Sequence, residues 1–588
     1  MLILLMLAAA PALVQSVPAT SVAQTRPVAA REAVQRDADS ARVRQAAKRA
    51  QEAFELVRRR NLPREFGLSG HSCDVIIGRW CIWNDDSDER EPPPESPRIR
   101  DAREKLLGVF DSLGALRPTD EWIAAQHVRY LLEAKRYLAA ARIADRCAAR
   151  DRGSYFCAAL AGLAYHDSGV VAAADSAFSG ALAAMPDTVR CRWTDIEMLL
   201  DDDVQSRYAK LDCAGRAAIA DAFWRLGAPL YLVGATDWRS EFLARVARVE
   251  LERGTKTPMG SSTDPGLRQM AIRYGIGTWY SVEEPPPGSM REAVVAGHNI
   301  RGSGFNFVPA ARALAAPAAL RAEDWELTLR TSRTRYAPSY ATHFRTLPRY
   351  QLALFRRGDS ALVVGAYDVH DDTLLARRSL EAGLFAAPVD GDGVTAPTGA
   401  ALAEAASQGV LTTKVAWKPM VVSLELLARE SKSAARVRHG VQPAPARGRV
   451  TVSDLLLFTP RDTGLHHLAD VLPLALATDR VPANRPLGLF WETYGVRPTG
   501  ELLAVSLTVE RRRESWLRRA GRRLGLVSHT SPLRVQWQEV PDRAEQVAAR
   551  AVTVDLSRLE AGRYEVQLTI TPRGEPPVMA TREVVIER

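Results

Sequence analysis

The stretch RYQLALFRRGDSALVVGAYDV, residues 349–369, decides the class of the C-terminal half. Two apolar runs are joined there at Arg357-Gly358-Asp359, and turn residues between such runs predict a β-hairpin. Runs of the same kind recur downstream: TKVAWKPMVVSLELLARE, RVTVSDLLLF, LGLFWETYGV, ELLAVSLTVE, LRVQWQEV, AVTVDL, GRYEVQLTITP and ATREVVIER. Strands this regular, punctuated by Gly, Pro and Asp, predict two antiparallel β-sandwiches, at 336–445 and 449–588, with QPAPARG (442–448) as the seam.

Upstream the pattern changes. Residues 100–220 are helical, and a 34-residue period runs through them. Gly162, Tyr165, Ala174, Phe178, Ala181 and Pro186 fall on the signature positions of a tetratricopeptide repeat, with Ala140 and Cys147 matching Ala174 and Ala181 one period earlier. Small residues at such positions let paired helices approach, large ones fill the gap, and Pro ends the second helix. Residues 221–335 read as a small α/β domain. Thr263-Asp264-Pro265-Gly266 makes a turn, and the alternation of Arg268, Met270, Ile272 and Tyr274 predicts a strand. The fold class expected is therefore multidomain α+β: a tetratricopeptide-like helical region, a small α/β domain, then β-sandwiches.

Residues 24–99 read as a linker, Ala-, Arg- and Gln-rich with weak helical periodicity over 24–65, with a small hairpin bracketed by Cys73 and Cys81. Inside it Asn84, Asp86, Asp88 and Glu95 echo a calcium loop. Glu89 stands where that turn needs Gly and Pro92-Pro93-Pro94 blocks the following helix, so the segment reads as acidic linker.

The chain has 588 residues, 46% apolar and 25% charged, which excludes a mostly disordered chain, a collagen and a polytopic membrane protein. Its net charge is +9, but Lys supplies only eight of the 78 basic residues, an Arg bias that reflects base composition more than a nucleic-acid partner. The opening MLILLMLAAAPALVQ, followed by Ser21-Val22-Ala23, fits a signal peptide over 1–23 or, if uncleaved, an N-terminal anchor. Export makes disulfides possible. Among the six cysteines, neighbours would pair as Cys73–Cys81, Cys147–Cys157 and Cys191–Cys213, one of fifteen connectivities.

No HExxH, GxSxG, P-loop or GxGxxG occurs, and no catalytic, cofactor or metal residue is assigned. His466-His467 is a poor metal pair because adjacent side chains diverge. Asp368 and His370, in YDVHDD, read as part of a turn. One basic cluster stands out between two predicted strands: Arg511, Arg512, Arg513, Arg518, Arg519, Arg522 and Arg523 around Trp516. It is a candidate anion-binding loop for lipid headgroups or glycans, with nucleic acid the weakest partner.

The region 221–280 resembles the GWxTD-domain proteins, a bacterial envelope-associated group. The resemblance rests on Phe223-Trp224, Glu241 and Arg245, the stretch Gly260-Ser261-Ser262-Thr263-Asp264, and a predicted strand ending in Tyr274-Gly275. VSDLLLF, PLGLFWETYGV and LSRLEAGRYEVQLTI extend it through 588. Ser261 replaces the signature Trp and Pro265 a basic residue. The resemblance implies an envelope protein with little defined chemistry. The function expected is an exported, non-enzymatic scaffold or interaction protein, with an envelope protein partner on the helical repeats. The alternatives are a hydrolase or binding protein of cell-wall glycan and an anionic-surface binder through Arg511–Arg523.

Overall fold

The computed structural model describes residues 25–66, 75–77, 79–82 and 93–587, apart from residues 152, 235, 262–264, 286–287, 289, 291, 300–303, 326, 328–333, 377–378, 392, 444–448, 462–463, 498–499, 513–532 and 542–546. The signal segment, Cys73, the calcium-like positions Asn84, Asp86 and Asp88, Thr263, Asp264, Arg513, Trp516, Arg518, Arg519, Arg522 and Arg523 lie outside the described residues.

Helices α1 (Thr25–Arg60) and α2 (Pro97–Leu116) precede two helical hairpins. These are α3 (Glu121–Glu133) with α4 (Tyr137–Arg150), and α5 (Tyr155–Asp167) with α6 (Val171–Ala184). The hairpins repeat in detail at an interval of 34 residues. Asp120 and Ser154 cap α3 and α5 by accepting from the N–H groups of Ile123 and Cys157, both at 3.1 Å. The left-handed turn residues Lys135 and Gly169 keep the same interval. Gly162 lets α6 approach, since a Cβ there would stand 2.8 Å from the Phe178 ring. Disulfides Cys147–Cys157 and Cys191–Cys213 tie α4 to α5 and α7 (Asp187–Trp193) to α9 (Cys213–Gly227), with α8 (Asp202–Tyr208) between the latter two. Two disulfides fit an oxidising compartment. Among the described residues no helix is long and apolar enough to cross a membrane.

The part of the linker with weak helical periodicity is helix α1, a packed element and not a linker. Its second half buries Ala47 and Phe54 beside Gln51, Glu55 and Arg58. A helix that buries polar groups as well as apolar ones carries only a weak hydrophobic period. The linker's short strands β1 (Arg64–Phe66), β2 (Val75–Ile77) and β3 (Trp80–Ile82) join a sheet in the order β1-β6-β7-β3-β2, with β6 (Trp279–Glu284) and β7 (Val294–Asn299). Ile76 pairs with Cys81 in the β2–β3 hairpin, and β1 and β3 pair in parallel with β6 and β7. Pairing across some 200 residues of chain leaves no local signal.

The remaining elements of this unit are α10 (Asp237–Glu252), the β4–β5 hairpin (Lys256–Thr257 and Gly260–Ser261), α11 (Pro265–Tyr274) and α12 (Ala311–Ala315). The strand expected at 268–274 is helix α11, a second correction. Pro265 opens it, and Gly275, at φ +88°, closes it by donating to the Ala271 carbonyl at 2.9 Å. Those two punctuation residues outrank a four-residue alternation.

The C-terminal half is antiparallel β throughout, apart from parallel edge pairings and the short α13 (Leu468–Val471). The first sandwich contains β8 (His343–Thr346), β9 (Tyr350–Arg357), β10 (Ser360–Asp368), β11 (Leu380–Asp390), β12 (Gly393–Val394), β13 (Thr398–Ala405), β14 (Gln408–Ala416), β15 (Met420–Ala428) and β16 (Ser433–Val441). Its sheets are β14-β10-β9 and β12-β11-β15-β16-β8, with β13 also on β11. Arg357 pairs with Ser360 across the Gly358-Asp359 turn, and Arg357 grips Glu492 with both Nη atoms (2.5 and 2.9 Å). The tripeptide is a structural hairpin.

The second sandwich comprises β17 (Thr451–Val452), β18 (Leu456–Phe458), β19 (Arg480–Pro482), β20 (Leu487–Tyr494), β21 (Leu503–Arg511), β22 (Leu533–Glu539), β23 (Val547–Val554), β24 (Gly562–Pro572) and β25 (Val578–Glu587). Its sheets are β17-β20-β18, with β23 on β20, and β19-β25-β24-β21-β22. The facing inner sheets of the two sandwiches pack on each other. Ala353, Phe355 and Val364 meet Leu456, Phe458, Leu468, Val471 and Phe490 in a shared apolar layer. Strands buried on both faces lose their alternation, which is why LLLF and LGLFW read as unbroken apolar runs. The outer edge of β9 is closed by side chains: Leu354 N donates to Asp454 and Arg356 N to the Tyr494 hydroxyl, both at 2.9 Å.

A buried polar lock joins the first sandwich to the helical half. Arg438 Nη1 donates to the Leu226 carbonyl at the end of α9 (2.5 Å), its guanidinium lies 3.9 Å from the Tyr231 ring centre, and Nη2 meets Glu425 at 3.2 Å. Arg436 donates to the carbonyls of Ala228 and Pro229. Cations at a helix C-terminus satisfy the carbonyls that the helix leaves open.

Candidate functional site

On α10, Glu241, Arg245, Arg248 and Glu252 recur at helical spacing and so share one face. Phe242, Leu243, Val246 and Ala247 are buried, and Trp238 and Phe242 pack on Phe223 and Trp224 with ring centres about 5 Å apart. The charged stripe lines a cleft of about 920 Å³. Its other walls come from the ends of α1, α3 and α5, from α2, from the loop 275–278 and from β6.

The cleft walls are ion pairs. Glu241 takes Arg245 Nε and His166 Nε2 at 2.6 Å each, and Arg248 binds Asp167. Arg245 also donates to the carbonyls of Ile272 and Arg273 at the end of α11 (3.1 and 3.0 Å) and of Arg335 (2.9 Å). Deeper in, Arg58 meets Glu133 (2.7 Å) and Glu55 (2.9 Å), Tyr130 donates to Glu55 (2.8 Å), and Arg129 reaches Glu133 (3.2 Å). Burial opposes the Arg58 charge, yet Glu133 and Glu55 outweigh it and its pKa rises. Burial alone would raise Glu133, but Arg58 and Arg129 pull it below the usual carboxylate range. Glu252 goes the other way: burial holds it above that range despite Arg129 and Arg248.

Polar contacts that fix α10 to the hairpins include Arg239–Asp175 (3.6 Å), Glu241–His166, Arg248–Asp167 and the Gln126 side chain donating to the Leu251 carbonyl (2.8 Å). The array thus holds a helix of its own chain. At the start of α10, Asp237 is buried and accepts from the hydroxyls of Tyr340 (2.8 Å) and Tyr336 (3.2 Å). Burial pushes its pKa up to about 6. A carboxyl that binds its proton more tightly when folded contributes most stability below about pH 4, and the contribution is lost as pH rises through 6. The span corresponds to about 3 kcal/mol. Asp237→Asn is therefore expected to remove a fall in stability between pH 4 and 6 that wild type displays, read as the difference between the two urea-unfolding profiles.

A second polar cluster sits on the sheet. Ser281 and Glu283 share a face of β6, and His298 lies across on β7. The Ser281 hydroxyl donates to Glu283 at 2.7 Å and lies 2.7 Å from His298 Nε2, while the imidazole stacks on Trp279 at 3.7 Å. With its single hydrogen committed to Glu283, the Ser281 oxygen accepts from Nε2–H. Burial lowers His298 to about 4, which keeps the ring neutral. That polarity is the reverse of what an activated serine needs, and Ser281 and His298 are fully buried. The cluster is structural.

The residues singled out in the sequence divide clearly. Glu241, Arg245, Tyr274 and Gly275 converge on the cleft. Phe223 and Trp224 are core beneath α10. Gly260, at φ +107°, turns the β4–β5 hairpin and is not among the cleft residues. Arg511 and Arg512 are engaged by Glu560 and Glu583. His466 and His467 start α13, their N–H groups bonded to Asp470. Asp368 accepts from the N–H and ring Nδ1 of His370 (2.9 and 2.6 Å), a turn beyond β10. Sequence reasoning missed Arg248, Glu252, Glu133 and Arg58. The spacing of charges along α10 was the available signal.

No protein-family model matches the chain, and no curated protein does. Among solved structures it is similar to a red sea bream transglutaminase, with 11% identity, TM-score 0.14, and coverage of 41% of this chain and 31% of that one. It is also similar to the FN1–FN3 domains of chicken CNTN1, with 9% identity, TM-score 0.13, and coverage of 43% of this chain and 70% of that one. The match thus spans about a third of the transglutaminase, and likenesses this distant carry no argument about function.

Proposed function

We propose that the chain is an extracytoplasmic, non-enzymatic scaffold that presents its helical array to an envelope protein partner, a divergent GWxTD-domain protein with tetratricopeptide-like repeats. The observation that carries this reading is the continuity of buried contacts along the chain. Hairpins, α/β unit and sandwiches are joined through α10, the Arg436 and Arg438 lock and the shared apolar layer. A chain so joined holds binding surfaces at fixed distances, which is what a scaffold needs. The array supports it too, since the 34-residue hairpins already hold one amphipathic helix, a recognition mode that recurs between proteins. The two disulfides and the leader-like start support export.

The test is site-specific photo-crosslinking in the native envelope. A photoreactive side chain at Leu138, 68% exposed on α4, is expected to form one reproducible protein adduct that the same group at Met579, 55% exposed on β25, does not form. No adduct at 138, or the same adduct at both positions, overturns the reading.

One observation favours a second reading, a glycan hydrolase. Glu133 is held low and Glu252 high in the same cleft, a division of labour that acid–base catalysis uses. Release of reducing ends from a neutral polysaccharide, lost in Glu252→Gln, would establish it in place of the scaffold.

A further inference from the structure

We propose that strand β13 is a self-association edge, through which two copies of the chain pair antiparallel about a two-fold axis. The inference is independent of the partner assigned to the helical repeats. β13 pairs with β11 alone, so its other edge is an end of the sheet. Among the described residues no hydrogen bond or ion pair beyond that ladder engages 398–405. In an antiparallel ladder every second residue of an edge strand turns its N–H and C=O outward, which leaves a row of open donors and acceptors. Six of the eight residues are exposed, and they include both parities of the strand. No further layer therefore covers either face of β13.

Other long edges of the molecule are guarded. The edge strands β14, β22 and β23 carry Lys414, Arg534 and Arg550, and the edge of β9 is closed by Asp454 and Tyr494. Basic side chains on an edge oppose the approach of a second strand. β13 reads TGAALAEA, with no Pro and no basic residue. Leu402, in mid-strand and 47% exposed, is the one large exposed apolar side chain among the described residues of the first sandwich. An edge that is open, slim and apolar at its centre is shaped for another strand.

Charge and register point to a second copy of the same strand. The β11 ladder is regular from Thr398 to Leu402 and slips by one residue before Ala405, so the straight part of β13 ends at Leu402. A two-fold centred on Ala400, Ala401 or Leu402 sets Glu404, the only charge on the strand, opposite Ala396, Thr398 or Ala400 of the other copy. At about 3.4 Å per residue the two Glu404 carboxylates then stand about 14 Å or more apart, beyond the screening length of physiological salt. A parallel pair would set them side by side. In the same registers Leu402 lies opposite Thr398, Ala400 or its own copy, on one face, and is covered. An eight-residue edge is only about 27 Å long, too little for the 2,000 Å² or more, roughly, of a permanent dimer. The association is therefore weak and reversible, with a dissociation constant of about micromolar order. Such a dimer presents two helical arrays, so a weak partner contact gains by avidity.

The experiment is sedimentation velocity of the intact chain over a concentration series from about 1 to about 100 μM, which brackets that constant. Hydrogen exchange at 398–405 is read at both ends of the series. A monomer–dimer equilibrium is expected, with slower exchange at 398–405 at the higher concentration. Leu402→Lys, at an exposed position, is expected to weaken the dimer about tenfold or more with an unchanged melting curve. Glu404→Gln is expected to change it by less than about twofold, because the two carboxylates are screened from each other. A monomer throughout the series overturns the proposal. So does a dimer that Leu402→Lys leaves intact, one that Glu404→Gln tightens, or one that protects residues other than 398–405. Protection of 398–405 that appears only when envelope extract is added assigns the edge to a foreign strand and overturns it as well. A protein adduct at Leu138 bears on the scaffold reading alone, so the two can fail separately.

Discussion

Glu425→Leu is expected to cost about 3–5 kcal/mol of stability, among the largest single losses available in the chain. Glu425 and Arg438 are both wholly buried. The Glu425 carboxylate accepts from Ser423 at 2.6 Å, from Arg438 at 3.2 Å and from the backbone N–H of Leu232 at 2.9 Å. Removing it strands a guanidinium that cannot lose its proton, and leaves the Leu232 N–H without its acceptor. The double variant Glu425→Leu with Arg438→Met removes both charges, so it is expected to be less destabilised than Glu425→Leu alone. It does not return to wild type, because Arg438 also caps the Leu226 carbonyl and covers Tyr231. Urea unfolding, with hydrogen exchange read at residues 226–232, measures both. A single variant within about 1 kcal/mol of wild type would mean that water reaches this seam.

This lock could not have been read from the sequence. ARVRHGV contains Arg436 and Arg438, which, as alternate residues of a strand, look like a solvated face. They are buried because the end of α9, some 210 residues earlier, supplies open carbonyls at that spot. The same limit explains α1, whose buried Gln51, Glu55 and Arg58 find partners on α3. Local pattern carries information where burial is apolar and the contacts are close in sequence. So the helical period, the Gly162–Phe178 approach, the two disulfides and the hairpin at Gly358-Asp359 were legible. Where burial is polar and the partner is remote, composition points the wrong way.

The cleft sits between these cases. Glu241 and Arg245 were marked by resemblance, and Arg248 and Glu252 continue their spacing on the same helix. His166, Asp167, Glu133 and Arg58, which complete the walls, arrive from three other helices at their C-terminal ends. Such a site is assembled by tertiary packing, and sequence marks only the element that contributes a whole face.

Phe490→Ala is expected to cost about 3–5 kcal/mol and to uncouple the two sandwiches. Phe490 is fully buried, 6.0 Å from Phe355 between ring centres, in the layer where the inner sheets meet. Its neighbours on β20, Leu489 and Trp491, point the other way into the core of the second sandwich. Truncation at 490 therefore removes contacts between the sandwiches and leaves the second core intact. In wild type the shared layer is expected to make unfolding of the two sandwiches a single transition. In Phe490→Ala the urea profile is expected to split, with the Trp491 environment lost in a later step than the first sandwich. Met579→Ala, at an exposed site on β25, is the control and is expected to stay within about 0.5 kcal/mol of wild type. A loss confined to one unsplit transition would place the coupling in the polar closures of β9 by Asp454 and Tyr494, not in the apolar layer. The scaffold reading depends on which is true. Apolar coupling varies little with salt and pH, whereas a junction held by Asp454, whose burial raises its pKa, would tighten as pH falls.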